Sequence, residues 1–184
     1  MSYYFLVASL PSITLETEPP LKLEAFRSLC ADHLSTDDVG ALNQILDFKT
    51  EQAVTHPFAK QWIARETQLR NAAARQRAIK RQEDASDFVR EHTGFDAGIE
   101  NSVDEAFNLS DPLSRERELD QLRWQILDDL TGPDPFSANV VLAYGIKLRM
   151  AERWAAMDQE QGRANIDGVL APSEAPEDAE AIDT

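Results

Sequence analysis

Apolar residues recur along this chain at three- and four-residue steps, the spacing of a helix with one buried face. Between Leu21 and Leu34 the repeat is carried by Leu23, Phe26, Leu29, Cys30 and the His33/Leu34 pair. Ser35-Thr36-Asp37-Asp38 then reads as a capping box with Asp in place of Glu, and Val39, Leu42, Ile45 and Leu46 predict a second short amphipathic helix. Pro57 suits the first turn of a third and longest helix, with Phe58, Trp62, Leu69, Ala72, Ala73 and Ile79 as its apolar stripe. Its Ala-, Arg-, Gln- and Glu-rich composition favours helix to about Glu91, Gly94 is a natural stop, and residues 94–103 read as a loop. Ser110-Asp111-Pro112 opens a fourth helix, whose stripe of Leu119, Leu122, Ile126 and Leu130 is widened by Trp124 and Leu127 before Gly132-Pro133 ends it. A fifth follows Ser137 and runs to Gly162. Its broad apolar face of Val140, Val141, Tyr144, Leu148, Ala151 and Trp154 places it near the centre of a bundle. Tyr3–Ala8 fits either a short buried strand or a helix start, and its length and aromatic content favour the extended form. The predicted fold class is mainly α, a compact bundle of about five helices.

With 184 residues and 42% apolar side chains, the chain can bury a core. The pattern divides it into a helical domain over 1–166 and an acidic tail over 167–184. The tail holds six acids, no base, Pro172 and Pro176, and offers too little apolar surface to offset the entropy of ordering it. The 33 acids and 18 bases leave a net charge of −15, which argues against nucleic acid as a partner. The charge is uneven: residues 60–90 carry eight bases and four acids, a net of +4, between two acidic segments. A single cysteine, Cys30, permits no internal disulfide and fits a reducing cytoplasm. No apolar run is long enough to span a bilayer, and Met1–Ala8 lacks the basic flank of a signal peptide.

Catalytic signatures are missing. The seven glycines form neither a phosphate-cradling loop nor a dinucleotide fingerprint, and His33, His56 and His92 lack metal-ligand spacing. Cys30 on an apolar stripe reads as a buried structural thiol. Asp37-Asp38 and Asp128-Asp129 read as a cap or a solvated face. These features predict a protein that is not an enzyme and takes no cofactor or metal. The basic helix has directional content. Arg65, Arg70, Arg77 and Arg81 do not all share one stripe, and Glu66–Arg70 is a favourable i, i+4 pair. One reading is a solvated helix with internal ion pairs. Another is a docking surface for an acidic partner or for the chain's own acidic tail, and a third, RNA, is opposed by the flanking acidic segments.

Three segments carry a family resemblance. Tyr3-Tyr-Phe-Leu-Val-Ala-Ser-Leu-Pro11 with the Ser35–Asp38 helix start resembles the opening of a bacterial family of proteins associated with V/A-type ATP synthases, similar in role to the C-type component of the central stalk (the d-type component in eukaryotic pumps). Glu66-Thr-Gln-Leu-Arg-Asn71, leading into Arg75, Arg77 and Lys80, resembles a second segment of that family. Phe136–Tyr144 through Glu152-Arg-Trp154 and Gly162-Arg163 resembles its C-terminal helix. The resemblance covers residues 3–165, although a full C-type stalk component is considerably longer. It implies a non-catalytic helical fitting between rotor ring and central shaft, cytoplasmic, meeting the inner face of the plasma membrane only through its partners. Together with the charge of the basic helix it gives Arg65, Arg70, Asn71, Arg75, Arg77, Lys80 and Arg81 as the candidate partner-binding residues. Trp62, Tyr144 and Trp154 are either interface anchors or core. A free helical adaptor for an unrelated protein is the alternative.

Overall fold

Side-chain caps set several of the helix starts. Ser35 Oγ accepts the Asp38 N–H at 3.2 Å and donates to the Asp38 carboxylate at 2.7 Å, closing the expected box on the helix Thr36–Leu46. Asp111 accepts the Leu113 and Ser114 N–H groups ahead of Pro112 and starts the helix Pro112–Thr131. The computed structural model describes residues 2–47 and 54–170, the last twelve by backbone alone. Among the described residues there are seven α-helices and no strand. They are α1 (Tyr4–Ser9), α2 (Leu23–His33), α3 (Thr36–Leu46), α4 (Pro57–Arg81), α5 (Ala97–Asn108), α6 (Pro112–Thr131) and α7 (Ala138–Leu170).

Four elements differ from the sequence reading. The first is α1, which is helical rather than extended. Tyr3 and Leu6 are buried and Val7 and Leu10 partly so, a three-and-four spacing, while Phe5 is 85% exposed. The Tyr3 N–H donates to the Phe136 carbonyl at 2.7 Å, and no neighbouring strand among the described residues offers a ladder. Second, α4 stops at Arg81 rather than near Glu91. Gln82 adopts the left-handed conformation (φ 58°), and the Glu83 N–H reaches back to the Ala78 carbonyl at 3.0 Å. Ile79, assigned to the stripe, is consequently 67% exposed.

Third, the segment read as a loop over 94–103 is mostly α5. Asp96 caps it by accepting the Gly98 N–H, and Ile99, Val103, Ala106 and Phe107 bury its inner face. Gly94 (φ 76°) lies in the connector and ends no helix. Fourth, α7 passes through Gly162 and continues to Leu170, so residues 167–170 of the expected tail have helical backbone. The rest of that tail, 171–184, lies outside the described residues.

The helices form two groups joined by α7. In one, α4, α5 and α6 pack on one another. In the other, α2 and α3 pack on α7, which also lies along α6. Val141, Leu142, Ile146, Leu148, Ala151 and Trp154 of α7 are all but fully buried, as its broad apolar face requires. Burying each large aliphatic side chain contributes roughly 1.5–3 kcal/mol. The approach is tightest at Gly145. A Cβ there would stand 2.9 Å from both Leu42 Cδ1 and Phe26 Cε1, so the missing side chain lets α2 and α3 close onto α7. No helix among the described residues is long and apolar enough to cross a membrane.

Candidate functional site

Much of the positive charge on α4 is turned to the seams with α5 and α6. Arg75 Nη2 donates to both oxygens of Glu100 (2.8 and 2.7 Å). Lys80 Nζ donates to the Phe107 carbonyl at 2.6 Å and sits 5.4 Å from that ring's centroid. Arg77 faces Glu116 of α6 at 3.5 Å and the same Phe107 ring at 5.7 Å. Arg65 pairs with Asp96, the α5 cap, at 3.5 Å. Asn71 is 4% exposed, and both ends of its amide are engaged with the Arg90 backbone: Nδ2 donates to the carbonyl at 2.7 Å and Oδ1 accepts the N–H at 2.9 Å. It pins the connector after α4. Arg81 is exposed, with no partner among the described residues. Arg70 points elsewhere.

Arg70 Nε donates to Glu66 Oε1 at 2.6 Å, and Glu66 opens a chain of alternating charges across three helices. Arg123 of α6 donates to Glu66 through Nε (2.9 Å) and Nη2 (3.3 Å), and to Asp120 through Nη1 (2.9 Å). Asp120, only 1% exposed, also accepts the Trp154 indole N–H at 2.8 Å and a short bond from Arg153 of α7. Burial works against the charge on Arg123, but Glu66 and Asp120 outweigh it and raise its pKa above the ordinary arginine value. Arg149, one turn before Arg153, donates to the Leu46 carbonyl at 2.6 Å and so caps the end of α3. Burial lowers its pKa. Glu66 opposes that shift, while Arg70, Arg27 and Arg153 add to it, which marks a locally positive potential.

Two clefts meet at Glu66 and Arg70. A mainly apolar one of about 470 Å³ runs along α4 between Ile45, Trp62, Ile63 and the exposed Phe88, with Asn71 and Arg90 at its rim. A charged one of about 290 Å³ is walled by Arg70, Arg123, Arg149 and Arg153, with Ile146 and Met150 as its apolar lining. Of the residues expected to bind a partner, Arg70 and Asn71 line this groove, while Arg65, Arg75, Arg77, Lys80 and Arg81 do not. Arg123, Arg149 and Arg153 were not among the residues expected to bind a partner. The signal that could have grouped them is spacing, Asp120–Arg123 at i, i+3 and Arg149–Arg153 at i, i+4.

Reactive groups elsewhere are committed to structure. Cys30 is fully buried, and burial pushes its thiol up to about 12. His56 Nε2 lies 3.3 Å from Asp38, whose carboxylate also holds the Tyr3 hydroxyl and Ser35. Lys147 bonds Asp128. No cluster of three His, Cys, Asp or Glu among the described residues could hold a metal ion. Trp62 (5% exposed) and Trp154 (1%) are core, and half-buried Tyr144 packs on Phe26 and donates to the Pro11 carbonyl. A family model described as a protein of unknown function (DUF2764) matches residues 45–169. No curated protein and no solved structure matches the chain.

Proposed function

We propose, for this chain that belongs to the DUF2764 family, the role of a non-catalytic structural or assembly component of a bacterial V/A-type rotary ATP synthase, docking between rotor ring and central shaft. The observation that carries the reading is the three-segment sequence resemblance over residues 3–165. The architecture supports it: a connector between two moving parts needs a stiff body and two separate surfaces. Stiffness has a source in the Glu66–Arg123–Asp120–Arg153 chain, which ties α4, α6 and α7 through a shared network. One surface is the groove along α4. The other is the aromatic end of the molecule, where Tyr4 stacks edge-on with Phe5 and Phe136 and Phe5 stands 85% exposed. Complementary charge would steer association and the aromatic groups would supply affinity. This reading places the protein in the cytoplasm, reaching the membrane face through its partners alone.

The test is affinity purification of the chain from its native host in mild detergent. Recovery of rotor-ring or shaft proteins, reduced by Phe5→Ser, is the expected result. A clean preparation without any pump component, from cells that contain an assembled pump, refutes the proposal. The groove favours one second reading, a free helical adaptor for an acidic protein unrelated to the pump, which predicts recovery of that protein instead.

A further inference from the structure

The two clefts that meet at Glu66 and Arg70 have a chemical character set apart from the rest of this acidic molecule. Four guanidiniums, of Arg70, Arg123, Arg149 and Arg153, converge on the charged half, against the two carboxylates of Glu66 and Asp120. Every oxygen of those carboxylates already accepts a hydrogen bond from Arg70, Arg123, Arg153 or Trp154. Convergence of charge, rather than any vacant guanidinium, makes the attraction. The adjoining half offers Ile45, Trp62, Ile63 and Phe88 to an apolar side chain. The fitting occupant is therefore a short acidic segment with an apolar residue among its acids. A nucleic acid or an anionic membrane would have to approach across a surface whose net charge is −15.

We propose that this groove is the docking site of the chain's own C-terminal segment, residues 171–184. That segment carries Glu174, Glu177, Asp178, Glu180 and Asp183, no base, and one large apolar residue, Ile182. Its origin is set by α7, which passes the groove at Arg149 and Arg153 and runs on to Leu170. From Arg153 to Leu170 the helix advances about 26 Å at 1.5 Å per residue. An extended chain recovers that distance in about eight residues. Pro172 and Pro176 disfavour continuation of the helix. The return leg ends near Asp178, so Asp178, Glu180, Ile182 and Asp183 are the residues that reach the groove. Acids meet the arginine half while Ile182 meets the apolar half. The segment is part of the same chain as the groove, so docking is intramolecular and independent of protein concentration. This docking does not rest on the rotary-pump reading, and a partner that uses the same groove would have to displace the segment.

The full-length chain tests it directly. The buried Cys30 thiol, pushed up to about 12, leaves an added cysteine at Thr184→Cys as the reactive one for a nitroxide label at neutral pH. In low salt, the amide resonances of Trp62, Ile63, Arg70, Arg149, Met150 and Arg153 should lose most of their intensity to paramagnetic broadening. They should recover in 1 M salt, where the Debye length falls to about 3 Å. They should also recover when Asp178→Asn, Glu180→Gln and Asp183→Asn are combined, a change outside the folded core. Three results overturn the proposal. One is the absence of broadening at these amides. Another is broadening that persists in the neutralised chain. The third is broadening that appears only when spin-labelled and isotope-labelled copies are mixed.

Discussion

Asp120→Asn probes the joint between α4, α6 and α7 with almost no change of shape. The carboxylate is 1% exposed and accepts from Arg123, Arg153 and Trp154. An amide removes the charge and turns one acceptor into a donor facing donors, leaving at least one buried N–H unsatisfied. Breaking a buried charged pair outright costs about 3–5 kcal/mol. Two features pull the loss to the low end. Glu66 still pairs with Arg123, and the Arg153 side chain is 51% exposed, so water can replace its lost partner. The expected loss is about 3 kcal/mol, equivalent to a fall in Tm of about 6–12 °C for a chain of this length. Urea unfolding followed by tryptophan fluorescence measures it, with an unchanged m-value. Glu118→Gln, an exposed acid on the same helix, should stay within about 0.5 kcal/mol and serves as the control. If Asp120→Asn costs less than about 1 kcal/mol, the network does not hold the three helices together. The stiffness invoked for a mechanical connector then loses its source.

Gly145→Ala should lower stability by about 1 kcal/mol in the same assay. The propensity gain of about 1 kcal/mol is outweighed by overpacking of about 1–3 kcal/mol against Leu42 and Phe26. Gln82→Gly should raise stability by about 0.5–1 kcal/mol, because glycine takes the left-handed cap at φ 58° without a Cβ penalty; a loss on chemical denaturation would refute that account. Burial opposes the charge on Asp38, but bonds from Tyr3 and Ser35, with the His56 ring, outweigh it and hold the carboxyl below its usual 3.8. The resulting stabilisation is complete above 3.8 and is lost as pH falls through the folded-state value. Asp38→Asn should therefore be less stable than the parent at neutral pH and converge with it in strong acid, as pH-dependent urea midpoints will show.

Local chemistry was legible in the sequence and tertiary convergence was not. Ser35 with Asp38, and Asp111 with Pro112, announce α3 and α6 because cap and partner lie within four residues. The end of α4 carries no such mark, since nothing about a glutamine announces a left-handed residue. Gly94 and Gly98 disguised the start of α5. That omission had a consequence for the site. With α5 unseen, the Glu100 carboxylate and the Phe107 carbonyl were unseen too, so Arg75 and Lys80 looked available to a partner when they are engaged within the fold. Arg123, Arg149 and Arg153 come from two helices and meet Glu66 and Arg70 only through packing. Their spacing along each helix shows which face they share, but not what lies opposite.

The position of α7 also sets a schedule for synthesis. Residues of α4, α5 and α6 find their neighbours within a continuous stretch of chain, whereas the faces of α2 and α3 that meet α7 must wait for it. Between Leu46 and Trp154 the ribosome takes about 5–20 s at ordinary elongation rates. Throughout that interval Phe26 and Leu42 have no α7 to cover them. A nascent chain stalled before residue 138 thus exposes an adhesive apolar face at its N-terminal end, and this interval is when a chaperone has most to hold.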